Sequence, residues 1–326
     1  MVNKHLITGI TGQDGIFLTS IILNNNPNDL VIGISRDQQN KEFFNKLKII
    51  SSEKVNSNNI KILNSNLENK NEVNSLIKKT SPDFIYNLTG PSSVYKSMLN
   101  NDDTYEKITI IFDNLINAVI NNNSCNFFQA SSSEMFDLSE NPLDENSKFK
   151  TRSPYAEAKL HVHEYIQKIK SNYEINISSG IMFNHESEFR NDEYLIMKII
   201  KTAILISKKK EDSLKIGSVD IIRDWSYAGD MADAIFKINN INNCEDYVIG
   251  SGKGNKIELI LDIVFEHFNL DWKDFVTIDN SLLRKGDPKS IVSNPKKIYE
   301  DTGWKAQTSL EQIIKKCINF KKNNYS

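Results

Sequence analysis

The chain has only three cysteines, Cys125, Cys244 and Cys317, an odd number set far apart. Such a set builds neither a disulfide framework nor a metal site, and it predicts a reducing, cytoplasmic setting with no bound metal. Long apolar runs are missing too. Nothing approaches the roughly 20 residues that a membrane-spanning helix needs. The first residues lead straight into a strand-like run, so no signal peptide is expected. Charge of one sign is not in excess either: 40 Lys and Arg stand against 42 Asp and Glu, a formal net charge of -2. That balance argues against a nucleic-acid partner, which would call for a basic face. No repeat recurs along the chain, and no Pro/Gly/Ser-rich linker divides it.

What is present is ordinary globular material, 326 residues with 39% apolar and 25% charged side chains, enough for one large α/β domain with a satellite. Abundant Asn, Lys and Ile, as in "IILNNNPND", we take as the coding bias of an AT-rich genome. Strand-like and helix-like runs alternate through the first half. "HLITGI" precedes a helical "QDGIFLTSIILNN"; "LVIGIS", "NIKIL", "DFIYNL" and "NFFQAS" follow, with helices expected near 41–50, 70–79 and 103–121. The alternation predicts a doubly wound parallel sheet covered on both faces. After "ISSGIMF" the pattern turns irregular, with one further helix near 193–209. Residues 1–183 are therefore expected to form a dinucleotide-binding domain. Residues 184–326 are expected to be mainly a smaller C-terminal substrate-binding lobe, interleaved with late strands of the same sheet.

Gly9, Gly12 and Gly15 in "ITGITGQDG" fall between the first strand and the first helix. Glycines there allow a tight turn and a close approach of backbone to a pyrophosphate, whose charge meets the helix N-terminus. Thr11, Gln13 and Asp14 belong to the same turn. The second strand ends in "GISRDQQ", where Arg36 suits the 2'-phosphate of NADP, while Asp37 beside it keeps NAD as the alternative. Asn66, with Leu67 after the third strand, is placed to meet an adenine.

The stretch "ASSSEMF", followed by "RSPYAEAKL", puts a carboxylic acid, a phenol and an amine close together. Tyr155 and Lys159, four apart, share one side of a helix that Ser153 and Pro154 begin. A phenol ionises near pH 10. A neighbouring ammonium and an oxidised nicotinamide should lower that value, so that Tyr155 takes the proton of a sugar hydroxyl. His161 and His163, two apart, point in different directions and share no metal. The run "KKKED" at 208–212 is expected to be a solvated helix end.

These segments come in a telling order: "ITGITGQDG", "YNLTGPSSV", "FQASSSEMF", "RSPYAEAKL", "GIMFNHES", "RDWSYAGD", "TGWK". In that order the chain resembles the extended short-chain dehydrogenases/reductases, and within them the GDP-mannose 4,6-dehydratases. The resemblance implies a Rossmann domain, NADP and a hydro-lyase cycle without net redox change: oxidation at C4, loss of water across C5 and C6, reduction at C6. By position it implies that Ser132 hydrogen-bonds the C4 oxygen and that Tyr155 and Lys159 handle the C4 proton. Glu134 would take the C5 proton and protonate the departing C6 hydroxyl. Asn184, Arg223 and Arg284 would hold the substrate diphosphate, and Lys198 would lie near the nucleotide. A homodimer through the helices near 103–121 and 154–170 is implied as well, with a tetramer as the alternative.

Four departures accompany the resemblance. Asn66 replaces an expected acid, and Ser93 stands where the GDP-mannose enzymes usually have histidine beside the sugar. "DQQNKEFF", after Arg36, lacks the second arginine and the serines that help those enzymes form tetramers around NADP, and the stretch between "YVIGSGKGNK" and "LLRKGDP" is shorter. The expected substrate is GDP-mannose, with GDP-N-acetylglucosamine as the alternative. An epimerase or 4-ketoreductase would keep Tyr155 and Lys159 but need no Glu134. A non-catalytic dinucleotide sensor would typically have lost the pair.

Overall fold

The computed structural model describes residues 2–36, 40–52, 55–91, 94–99, 101–122, 125–173, 175–241, 243–283 and 288–322. Strand and helix alternate as the sequence predicts: β1 (Lys4–Thr8), α1 (Gln13–Asn25), β2 (Leu30–Ile34), α2 (Lys41–Ile50), β3 (Ile60–Leu63), α3 (Lys70–Thr80) and β4 (Phe84–Asn87). Then come α4 (Val94–Leu99), α5 (Asn101–Asn122), β5 (Asn126–Ser132), α6 (Pro154–Asn172) and β6 (Ile177–Met182). Side chains supply the boundaries. Asn69 caps α3 by accepting from the amides of Asn71 and Glu72. Ser153 caps α6 by accepting from the amide of Ala156, with Pro154 in the first turn. Such caps contribute about 1 kcal/mol each.

After β6 come β7 (Asn184–Glu186), α7 (Leu195–Ser207), β8 (Leu214–Ile216), β9 (Ile222–Tyr227), α8 (Ala228–Asn240) and β10 (Asp246–Ile249). The chain ends with β11 (Gly254–Lys256), α9 (Ile257–Glu266), β12 (Val276–Ile278), β13 (Ser290–Ile291), α10 (Lys296–Thr302) and α11 (Leu310–Lys322).

Seven strands make one sheet in the order β10-β6-β5-β4-β1-β2-β3, every neighbouring pair parallel. Successive residues of a strand face opposite sides, and the core divides accordingly. Ile7 joins the apolar cluster of α1 and α8, whereas Leu6 joins that of α3, α5 and α6. Strand order reverses between β1 and β4, so a crevice opens at their carboxyl ends, the place where such sheets bind ligands.

In the second part of the chain, β9 is central, paired with β11, β13 and β7. The chain does not stay there: α8 packs back on the main sheet and β10 adds its seventh strand, parallel to β6. Residues 135–150 form a third apolar cluster, with Phe136, Leu138 and Leu143 against Ile181, Phe183 and Val248. Glu145 Oε1 there accepts from the amide of Val248 at 2.7 Å, satisfying part of the edge strand.

Candidate active site

The carboxyl ends of β1, β4 and β5 are stitched together by polar side chains. Thr8 Oγ1 donates to Asn87 Oδ1 at 2.8 Å, and Asn87 Nδ2 donates to Gln129 Oε1 at 2.8 Å. Thr8 Oγ1 also accepts from the amides of Leu88 and Thr89. All three side chains are buried, so this paired chain fixes the floor of the crevice.

At one side of that floor lies the glycine turn. Gly9 has φ +71°, a conformation that favours glycine. A Cβ on Gly15 would lie 2.6 Å from the Cα and carbonyl oxygen of Ile10, so only glycine lets α1 start this close to the strand. Gly12 precedes α1 without a side-chain cap, and Thr11 and Gly12 are exposed. The first amides of the helix are thus left for an outside acceptor, and the turn fits a dinucleotide pyrophosphate. Arg36 is exposed at the end of β2. Asn66 is exposed, its Oδ1 accepting from the amide of Glu68, while Leu67 is buried and its carbonyl accepts from Asn114 Nδ2 at 3.0 Å. The side chains of Gln13 and Asp14 turn away from the glycines toward residues 185–187.

Across the crevice, β5 ends at Ser132 and one 3-10 turn (Ser133–Met135) follows. Ser132 Oγ accepts from the amide of Glu134 at 3.3 Å, and the Ser132 side chain is hydrogen-bonded to the Tyr155 phenol. Lys159 Nζ donates to the carbonyl oxygen of Ala130 at 2.8 Å and stands 5.8 Å from the Tyr155 ring centroid. The structure thus brings Ser132, Glu134, Tyr155 and Lys159 into one cluster.

The electrostatics differ from the sequence expectation. The Tyr155 phenol is pushed up to about 12, first by burial, with the charges of Glu134 and Tyr194 adding to the rise. The Ser132 hydrogen bond and the Arg190 guanidinium work in the lowering direction. Lys159 is itself brought down to about 8 by burial. Its hydrogen bond goes to the backbone and its head is off the phenol, which is why the ammonium does not depress Tyr155 as i, i+4 spacing alone leads one to expect.

The remaining positions are more scattered. Asn184 is exposed on β7. Lys198, on α7, donates to the carbonyl of Lys215 at 3.1 Å. Arg223 is buried on β9, its Nη1 donating to the carbonyls of Ile222 and Pro288. Ser93 and Arg284 lie outside the described residues.

Three contributions were not anticipated from the sequence. Arg190 stacks on Tyr194, its guanidinium carbon 3.5 Å from the ring centroid, and its Nε is 3.8 Å from Glu186 Oε2. Both Arg190 and Tyr194 act on Tyr155. The spacing of four in Glu186, Arg190 and Tyr194 was the available signal. Third, Asp224, the acid of "RDW", is buried and accepts from the amides of Ser251, Gly252 and Ser293 and from the hydroxyls of Ser251 and Ser293. It knits the ends of β10 and β13 to β9, next to Arg223. Among the described residues no group of His, Cys, Asp and Glu could hold a metal ion, and no helix is long and apolar enough to cross a membrane.

The family model described as GDP-mannose 4,6 dehydratase matches residues 6–317. GDP-mannose 4,6 dehydratase 2 of Arabidopsis thaliana is 32% identical over 96% of this chain and 85% of its own length. Among solved structures, UDP-N-acetylglucosamine 4-epimerase from Methanobrevibacter ruminantium M1 superposes with a TM-score of 0.85 at 20% identity, covering 99% of each chain. RMD from Pseudomonas aeruginosa complexed with NADPH gives a TM-score of 0.81 at 16% identity, covering 99% of this chain and 100% of that one. At such identities the structural likeness speaks for the fold.

Proposed function

Since the chain belongs to the GDP-mannose 4,6-dehydratase family, a family of hydro-lyases, we propose that GDP-mannose is the substrate and NADP the dinucleotide of this nucleotide-sugar 4,6-dehydratase. The enzyme carries a nicotinamide dinucleotide; Arg36, exposed at the end of β2, supports the 2'-phosphorylated form. The observation that carries the reading is the cluster of Ser132, Glu134 and Tyr155 at the carboxyl end of β5.

A bound oxidised nicotinamide would supply what the chain's residues lack, a hydride acceptor, and its positive charge would add to those of Lys159 and Arg190 in favouring the phenolate. The residues supply the proton movements. Ser132 orients the C4 hydroxyl and, with Arg190, favours the Tyr155 phenolate that receives its proton. Lys159, anchored on Ala130, keeps a cation beneath the ring. With a ketone at C4 the C5 proton becomes acidic, and Glu134 removes it and returns a proton to the C6 hydroxyl as it departs; return of the hydride at C6, with a proton regained at C5, would close the cycle without net redox change. Asn184 and Arg223 are the proposed contacts to the diphosphate, for which arginine forks are suited, and Lys198 the proposed contact near the nucleotide. Helices α5 and α6 are proposed to form a homodimer face, where Ile110 is 41% exposed.

The test is incubation with NADP and a panel of GDP-, UDP-, dTDP- and CDP-hexoses, GDP-N-acetylglucosamine included. A GDP-mannose product lighter by one water is expected. A product of unchanged mass, differing only at C4, would replace the dehydratase reading with an epimerase.

A further inference from the structure

Four contacts join the first turn of α1 to β7 and the residue after it, some 170 positions later in the chain. Gln13, buried, donates from Nε2 to the carbonyl of His185 at 3.2 Å, and its Oε1 accepts from Ser187 Oγ at 2.8 Å. Asp14 meets His185 Nε2 at 3.2 Å through each carboxylate oxygen. Ser187 Oγ also accepts from the amide of Phe189, so the hydroxyl is committed on both sides.

The protonation of His185 follows from its neighbours. Nδ1 faces the carbonyl oxygen of Phe183 at 2.8 Å, an acceptor only, so Nδ1 carries a hydrogen. Nε2 faces a carboxylate and must carry one as well. Both ring nitrogens thus face acceptors, an arrangement that favours the imidazolium and its pairing with Asp14. Burial opposes that charge, but the charge and hydrogen bond of Asp14 outweigh it and raise the pKa. The other ionisable groups facing the ring are Glu186 and Arg190 of its own segment.

We infer that Gln13 and Asp14, through Ser187 and His185, form a latch that couples dinucleotide binding at the glycine turn to sugar-nucleotide binding at the strand bearing Asn184. Their side chains are engaged with that strand, so their part is positioning. A ligand that holds the turn in place holds β7 through these four contacts, and the second ligand then meets a segment already positioned, which gives positive cooperativity. The inference rests on the dehydratase reading for the identity of the two ligands.

NADPH binding, followed by nicotinamide fluorescence, is measured with and without saturating GDP. The wild-type protein should bind NADPH roughly tenfold tighter with GDP present, within the usual range of such couplings. In Asp14→Asn and in Gln13→Leu the ratio should fall to within about twofold of one while each ligand still binds alone. A neutral His185 turns a lone pair toward Asp14, so the wild-type ratio should also decline as pH rises above the ordinary histidine range. That arm stands even where a variant does not fold. A wild-type ratio of one, no GDP binding, a ratio unchanged in both variants, or a ratio constant across that rise in pH overturns the latch. Coupling that behaves as described, with no dehydrated product from any sugar nucleotide, would sink the dehydratase reading and leave the latch standing.

Discussion

Lys159 hands its hydrogen bond to the carbonyl of Ala130, 2.8 Å away. A buried amine brought down from 10.5 to about 8 holds fewer protons folded than unfolded between those values. Stability should therefore rise with pH across that window and carry no such slope below it. Relative to Lys159→Met, the wild-type protein should gain up to about 3 kcal/mol between pH 8 and 10.5. Denaturant titrations of both proteins along that pH series measure it; parallel curves would refute the burial effect.

Tyr155→Phe should lower turnover at least a hundredfold, the lower end of what a general base contributes. Binding of GDP and NADPH should stay within a few-fold, since the ring still fills its site. Ser132→Ala removes the hydrogen bond that favours the phenolate, so its residual activity should appear at higher pH than in the wild-type protein. Turnover-versus-pH curves for the two variants, with binding titrations alongside, settle both statements.

Glu134→Gln should separate oxidation from dehydration. On adding substrate, reduced-nicotinamide absorbance should rise and persist, while mass spectrometry finds no sugar that has lost water. Dehydration should fall at least a hundredfold. Wild-type dehydration by this variant would remove the assignment that separates the protein from an epimerase.

Asp224 accepts from five donors, and Asp224→Asn turns one acceptor into a donor among them. We expect about 1–3 kcal/mol of lost stability and a raised KM for the sugar nucleotide, with kcat within about threefold because the cluster around Tyr155 is untouched. A kcat collapse at unchanged KM would show that Asp224 serves the chemistry instead of Arg223.

For assembly, Ile110→Asp puts a charge on the exposed face of α5. Sedimentation should show the wild-type protein as a dimer at micromolar concentration and the variant as a monomer. A wild-type monomer would end the dimer proposal, and a wild-type tetramer would favour the alternative.

The parallel sheet was legible because its strands are apolar runs separated by helical patterns, a local property of the chain. Tyr155 and Lys159 were legible as residues for the same reason, their spacing. What their spacing did not carry was the partner of the ammonium, since Ala130 lies on another element and burial decides how the charge is satisfied. Gln13 and Asp14 were assigned to the dinucleotide because glycines flank them; the strand that engages their side chains arrives some 170 residues later. Asp224 gave no sign of its role, because its five donors come from segments brought together only when β9, β10 and β13 meet.

The return of the chain to β10 also bears on how such a protein is inherited and re-engineered. A single crossover at residue 184 would hand the donor's β10 to the recipient's β6, splitting one sheet between two ancestries. Swapping substrate preference by recombination therefore needs several junctions, around the lobe segments and not through α8 or β10. A gene fragment ending at 183 would leave β6 as an unpaired, apolar edge, open to pairing with other chains.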